Sequence, residues 1–212
     1  INPTASLSMI FGKLKILLLG SAQSGKTSIL DVYNQRMTYE SPTVGISVTS
    51  GAVLDNSGQR RKPTPVRFYD MGGARHWWCW IPEYIKDTDI VFLFYDITRP
   101  ETLEEADEIL TIIKPNQSEF RIILVGNKTD LQDQRNVQIW DINKWIARRR
   151  RDGWMLRHIE CNRRNITSFR KILDRAINGL EMSLEPLDLT KVNPFFDKAK
   201  DQAGWMDYLM PF

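Results

Sequence analysis

The sequence predicts an α/β fold, a six-stranded, mostly parallel sheet flanked by helices. Three observations predict it. Short apolar runs recur along the 212-residue chain, and stretches with apolar residues at helical spacing lie between them. The turn after the first run, Gly20-Ser21-Ala22-Gln23-Ser24-Gly25-Lys26-Thr27, fits G-x-x-x-x-G-K-[ST] at every fixed position. Strand, glycine turn and helix start in that order let consecutive backbone N–H groups surround a phosphate.

Each element can be justified in chain order. Leu14-Lys15-Ile16-Leu17-Leu18-Leu19 reads as a buried strand, and Ile29, Leu30, Tyr33 and Met37 as one apolar helical face after the turn. Asp55 to Pro63, rich in turn residues and charge, is expected to extend the hairpin between the second and third strands as an exposed loop. Val66-Arg67-Phe68-Tyr69 reads as the third strand and Ile90 to Tyr95 as a central one. Pro100 opens a helix whose Leu103, Ala106, Leu110 and Ile113 share a face. Ile122 to Gly126 is another buried strand, and Ile142, Trp145 and Ile146 mark a helix. Trp154 to Ile159 reads as the last strand, and Phe169, Ile172, Leu173, Ala176 and Leu180 as the closing helix. Alternating strands and helices imply a doubly wound sheet with its site at the carboxyl ends of the strands.

Composition excludes several classes. A net charge of +3 is too mild to imply nucleic acid. The run Arg148-Arg149-Arg150-Arg151 reads first as a solvated helix end and second as a surface for an acidic partner. Two distant cysteines, Cys79 and Cys161, have no metal-ligand company and fit a reducing intracellular compartment. No apolar run is long enough to span a bilayer. Residues 1–8 are expected to be foreign to the native start, with Met9 as initiator, 9–181 to form the domain and 182–212 an extension. No cysteine near the C-terminus and no glycine after Met9 leave prenylation and myristoylation without an acceptor, so no direct lipid anchor is expected.

The chemistry is written in four short segments. Ala22, Gln23, Ser24, Gly25, Lys26, Thr27 and Ser28 are the candidate phosphate ligands. Lys26 would neutralise the β- and γ-phosphates, and the Thr27 hydroxyl would hold Mg²⁺. Asp70, at the end of the third strand, would hold that Mg²⁺ through water, and Gly73 would offer its N–H to a γ-phosphate. Thr43, in Ser41-Pro42-Thr43-Val44-Gly45, is placed to add a second hydroxyl. Asn127-Lys128-Thr129-Asp130 follows a strand, so its Asp130 carboxylate can accept from guanine N1–H and N2–H₂. Adenine offers neither donor and would leave the carboxylate unpaired, which disfavours an ATPase or a kinase. Lys128 can lay its stem along the base, while Asn127 ties this loop to the phosphate loop.

These segments, in order, resemble the Ras superfamily of small GTPases, with the P-loop GTPase fold, over residues 13 to about 181. The blocks Lys15-Ile16-Leu17, Ser24-Gly25-Lys26-Thr27, Tyr39-Glu40-Ser41-Pro42-Thr43-x-Gly45, Asp70-x-Gly72-Gly73, Cys79-Trp80 and Lys86-Asp87 resemble more closely the Rab-like GTPase subunits of the intraflagellar transport B complex, the Rab-like protein 5 family. That resemblance implies GTP or GDP with Mg²⁺ as cofactors. It also implies docking on two coiled-coil subunits of the complex, and a place in the cilium or flagellum, its base and the cytoplasm. The resemblance further implies that Asn162 and Arg163, within Glu160-Cys161-Asn162-Arg163-Arg164, form the last guanine-binding loop, where a backbone N–H reaches guanine O6.

Departures from the family pattern set the expected activity. Ala74 stands where active relatives carry the Gln that orients the attacking water, and a methyl group cannot do so. Arg75 and His76 follow it, in directions the sequence does not fix. Ala22 adds bulk near the γ-phosphate where many relatives have Gly. Slow or absent intrinsic hydrolysis is therefore expected, in a structural adaptor; a cycling regulatory GTPase in intracellular trafficking is the alternative. In His76-Trp77-Trp78-Cys79-Trp80-Ile81 the aromatics cannot all point inward. Trp80 is expected in the core, and Trp77 and Trp78 are the candidate partner-binding anchors. The tail Leu184 to Phe212 carries enough aromatics either to fold back or to dock on a partner, and the sequence does not choose between them.

Overall fold

Apolar runs flanked by turns become strands here because both of their faces are covered. The computed structural model describes residues 13–37, 41–53, 64–114 and 120–177. In chain order the elements are β1 (Leu14–Gly20), α1 (Lys26–Tyr33), β2 (Ile46–Val53), β3 (Thr64–Met71), a 3₁₀ helix (Arg75–Trp80), α2 (Ile81–Tyr84) and β4 (Ile90–Asp96). Then come α3 (Glu101–Ile113), β5 (Arg121–Asn127), a second 3₁₀ helix (Thr129–Gln134), α4 (Ile139–Arg151), β6 (Leu156–Glu160) and α5 (Thr167–Ile177). The six strands lie in the order β2-β3-β1-β4-β5-β6. Only the β2–β3 pair is antiparallel.

β4 is buried along its whole length and β1 nearly so, which is what a central parallel strand requires. Leu17, Leu19, Val91, Leu93, Ile122 and Leu124 face one way, against Ala106, Ile109, Leu110 and Ile113 of α3 and Ile142, Trp145 and Ile146 of α4. On the other face Phe169 of α5 meets Phe92 at 4.7 Å and Tyr33 of α1 at 5.9 Å between ring centroids. Register then aligns the functional ends: Leu18 pairs with Asp70, Gly20 with Phe94, and Asp96 with Asn127. The carboxyl ends of β1, β3, β4 and β5 therefore open on one edge of the sheet.

Local chemistry sets the helix ends. Asp141 accepts from the Gln138 N–H at 3.2 Å in a capping box that starts α4. The four arginines fill its last turn, where positive charge opposes the helix dipole. Arg149 is the exception to a solvated end, pairing with Asp107 at 2.8 Å and Asp152 at 2.7 Å.

Three expectations shift. α1 stops at Tyr33 because the chain turns at Asn34 and Gln35, the latter at φ 57°, so Met37 leaves the apolar face and is exposed. β6 begins at Leu156 rather than Trp154, which is nonetheless buried. Trp80 is 42 % exposed and Trp78 only 7 %, the reverse of the expected assignment. Residues 1–8 with Met9, Tyr39, Glu40, the loop 55–63, Leu180 and the tail 182–212 lie outside the described residues. Among the described residues no helix is long and apolar enough to cross a membrane.

Candidate functional site

The phosphate loop takes its shape from the point where β1 stops and α1 starts. Gly25 caps α1 at φ 86°, a left-handed conformation that glycine adopts freely. A Cβ there would sit 2.1 Å from Asn127 Nδ2, so the position is doubly closed to larger residues. Asn127, buried at the end of β5, donates to the Ser24 carbonyl at 2.8 Å, which is the expected tie between the two loops. Ala22 and Gln23 are exposed at the mouth, with Gln23 at φ 61°, whereas Ser24 is buried and donates to the Ser21 carbonyl at 2.8 Å. Thr27 and Ser28, in the first turn of α1, are half-buried.

Lys26 lies under this loop. Its ammonium donates to the carbonyls of Gly20 and Ser21, each at 2.9 Å. Burial lowers its pKa to about 8, outweighing Asp70 and Glu105, which act in the other direction. A buried lysine short of countercharge suits a polyanionic ligand.

The candidate metal ligands converge from three elements. Thr27 donates to Asp70 Oδ2 at 2.5 Å, the Thr27 and Thr43 hydroxyls lie 2.8 Å apart, and Thr43 reaches the same carboxylate at 3.4 Å. Asp70 is 1 % exposed, and its Oδ1 has no hydrogen-bond partner. Burial raises its pKa despite the Thr27 hydrogen bond and the charge of Lys26. A cation would relieve both the orphaned oxygen and the desolvated charge. Two hydroxyls 2.8 Å apart also match the spacing of about 2.9 Å between adjacent ligands of an octahedral ion bound at 2.0–2.1 Å. Two hydroxyls and one carboxylate are the hard oxygen donors that suit Mg²⁺. Among the described residues no cluster of three His, Cys, Asp or Glu side chains competes with this site.

Above the loop, the Gly72 N–H donates to the Gly45 carbonyl at 2.8 Å, so the Thr43 segment and the end of β3 are tied together. Gly73 presses on the phosphate loop: a Cβ there would lie 2.4 Å from the Ala22 nitrogen. Only glycine permits that approach, which sets the Gly73 backbone where an outer phosphate would meet the loop.

The base loop is held from below and from the side. Lys128 adopts φ 69° and its ammonium pairs with Asp96 Oδ2 at 2.6 Å. Asp130 opens the second 3₁₀ helix with its side chain 19 % exposed, and Arg164 Nε stands 3.8 Å away. Asn162 donates to the Thr129 hydroxyl at 2.7 Å, while its Oδ1 accepts from the N–H groups of Arg164 and Asn165. The Cys161 N–H bonds to the Gly126 carbonyl, and the Thr129 N–H to the Cys161 carbonyl. These bonds hold the Asn162–Arg163 backbone beside the base loop. Arg135 on the far side makes a two-pronged pair with Glu160 at 2.7 and 2.9 Å.

The segment after Gly73 resolves what the sequence left open. Ala74 precedes a 3₁₀ helix, and Arg75 binds Glu108 of α3 through both terminal nitrogens, with Glu105 at 3.6 Å. Arg75 also lies over the Trp78 ring at 5.1 Å. Its guanidinium is committed to α3 and is not held at the phosphates. Trp78 is therefore a core residue and is corrected as a partner anchor. Trp77 is half-buried beside Gly72 and packs against His76 and Trp80 at 4.4 and 5.2 Å. Trp80 lies against Gly45 with its outer face exposed.

Sequence reasoning missed Asp96, Arg99 and the neighbours Arg164 and Arg135, because each acts through residues far away in the chain. No local signal marks them.

The match to known proteins agrees with this geometry. Residues 15–181 match the Ras family. Over 135 residues the chain is 33 % identical to "Ras-related protein Rab-28" of Caenorhabditis elegans, covering 59 % of this chain and 52 % of that one. Over 132 residues it is 29 % identical to "Ras-related protein Rab-7b" of Mus musculus, covering 59 % and 64 %. The matched segments thus span less than two thirds of the length of these relatives. Six strands in the observed order, a phosphate loop, a guanine-type base loop and a match over most of its length lead to one conclusion: the chain belongs to the Ras family.

Proposed function

We propose that this chain is a Rab-like small GTPase that binds GTP or GDP with Mg²⁺ and holds GTP for long periods. Members of the Ras family bind guanine nucleotide with Mg²⁺ in general, and the residues here suit that use. Asp130 would select guanine, and Lys26, the Ser24–Ser28 backbone and Gly73 would hold the phosphates. Thr27, Thr43 and Asp70 would hold the ion. When bound, Mg²⁺ neutralises charge between the outer phosphates. Thr43 would thereby close its segment over the nucleotide, and Asn127 would keep base and phosphate loops in step.

One observation carries the proposed slowness. Ala74 has no group to orient water, and the neighbouring Arg75 is held by Glu108 and Glu105. Hydrolysis is then limited by an unpositioned nucleophile, with an expected rate of about 10⁻⁴ s⁻¹ or slower. In this reading GTP stabilises one shape of the Thr43 and Gly72–Trp80 segments, and that shape is a docking surface. The motif blocks quoted above support the finer assignment, a subunit of the intraflagellar transport B complex docking on a pair of coiled-coil subunits.

Single-turnover GTP hydrolysis of the wild type and of Ala74→Gln tests the first part. A slow wild type that speeds up at least tenfold with Gln supports it; a wild type turning over at 1 s⁻¹ or faster, the range of an activated GTPase, refutes it. Affinity for the coiled-coil pair, measured with a non-hydrolysable GTP analogue and with GDP, tests the second. Absence of binding in both states refutes the assignment.

A further inference from the structure

Asp96 closes β4 directly beside Asn127, and of the contacts described above it makes the pair with Lys128. It is 0 % exposed and both its oxygens are filled. Oδ1 accepts from the Thr98 N–H at 2.9 Å and the Thr98 hydroxyl at 2.7 Å. Oδ2 accepts from Lys128 Nζ at 2.6 Å and Arg99 Nε at 3.1 Å. Burial works against its ionisation, but the bonds from Lys128 and Thr98 outweigh it and hold the carboxyl below its ordinary range. Arg99 then uses a second nitrogen, Nη2, to donate to the Ala22 carbonyl at 2.8 Å, across 77 residues of chain.

Among the described residues two ties join the base loop to the phosphate loop, and they grip different ends. Asn127 holds Ser24, next to the start of α1. The path Lys128–Asp96–Arg99 ends at Ala22, the exposed part of the loop against which Gly73 rests. In the guanine-nucleotide reading Gly73 would face the outer phosphates, so Arg99 would fix the end of the loop that meets them. We propose that Asp96 and Arg99 are positioning residues that join base recognition to the outer-phosphate end of the phosphate loop, so that GDP and GTP are retained in preference to GMP. The proposal rests on the guanine-nucleotide reading above. Arg99 is suited to this joint because its planar fork serves two acceptors at once, which a lysine cannot do with fixed geometry. The charge of Asp96 sets both cations, so the two halves of the joint are not independent.

The test is the release rate of fluorescent GDP and GMP from the full chain. Arg99→Ala, a change at a side chain about one-third exposed, should speed GDP release about tenfold, equivalent to about 1.4 kcal/mol for one charge-assisted hydrogen bond. Release of GMP, which lacks the outer phosphates, should change by less than about twofold. Asp96→Asn should speed release of both, since Lys128 is loosened too. Adding Arg99→Ala to Asp96→Asn should then have no further effect, because the joint is already broken. Equal acceleration of GDP and GMP by Arg99→Ala, no acceleration, or rates that multiply in the double variant would overturn the proposal. A wild-type chain that retains neither nucleotide would refute the guanine-nucleotide reading itself, and the proposal with it.

Discussion

Replacing Lys26 by Met removes the buried charge while keeping an unbranched side chain of similar length, and the structure gives the size of the effect. Burial lowers the Lys26 pKa from 10.5 to about 8. At 1.36 kcal/mol per tenfold change in proton affinity, carrying that charge destabilises the nucleotide-free fold by about 3 kcal/mol. The sign follows from proton counting. Between about pH 8 and 10.5 the unfolded chain binds the Lys26 proton and the folded chain does not, so folding becomes more favourable as pH rises. Below about pH 8 both states carry the proton and the full penalty applies. Stability of nucleotide-free wild type and Lys26→Met, measured by urea unfolding at pH 7, 8, 9 and 10, isolates this group, because other titrations cancel in the difference. The wild type should gain roughly 2 to 3 kcal/mol on the variant between pH 7 and pH 10. Nucleotide affinity should move the opposite way. Phosphates supply the missing countercharge, so binding takes up a proton above pH 8, and affinity falls there by up to about tenfold per pH unit. A difference in stability that stays flat from pH 7 to 10 would refute the reasoning.

Three other outcomes follow from the packing. Trp78→Ala should cost about 3 to 5 kcal/mol of unfolding free energy, as for any large buried aromatic, while Trp80→Ala should stay within about 1 kcal/mol and instead weaken partner binding; equal losses of stability would contradict the assignment. Asp130→Asn should lower GTP affinity by about a hundredfold and raise affinity for xanthosine triphosphate, whose 2-oxo group accepts from the new amide, as read by competition binding. Arg135→Ala should destabilise the fold by about 2 kcal/mol in a denaturant titration, because it leaves the Glu160 carboxylate, 22 % exposed at the side chain, without its two-pronged partner.

The sequence by itself determined the phosphate loop, the base loop and the strand–helix alternation around them. Those features rest on short-range rules: glycine conformations at fixed offsets, a helix start beside them, and apolar runs that fill covered strands. The fate of Thr43 and Asp70 needed more. Their meeting with Thr27 depends on β3 lying beside β1 with Asp70 opposite Leu18, a register that no local pattern states. The tryptophans show why helix type matters. In a 3₁₀ helix residues three apart share a face, so Arg75, Trp78 and Ile81 line up toward α3 and the core while Trp77 and Trp80 stack on the other side. The sequence gives three tryptophans in four positions, but it does not say that the turn winds three residues per turn or which face meets the sheet. The same holds for Asp96 with Arg99 and Lys128, for Arg164 beside Asp130, and for Arg135 with Glu160. Charged side chains are long and their partners lie 25 or more residues away in each cross-loop pair, as with Arg135 and Glu160. Only the packing of β4, β5 and β6 side by side brings such groups within hydrogen-bonding distance.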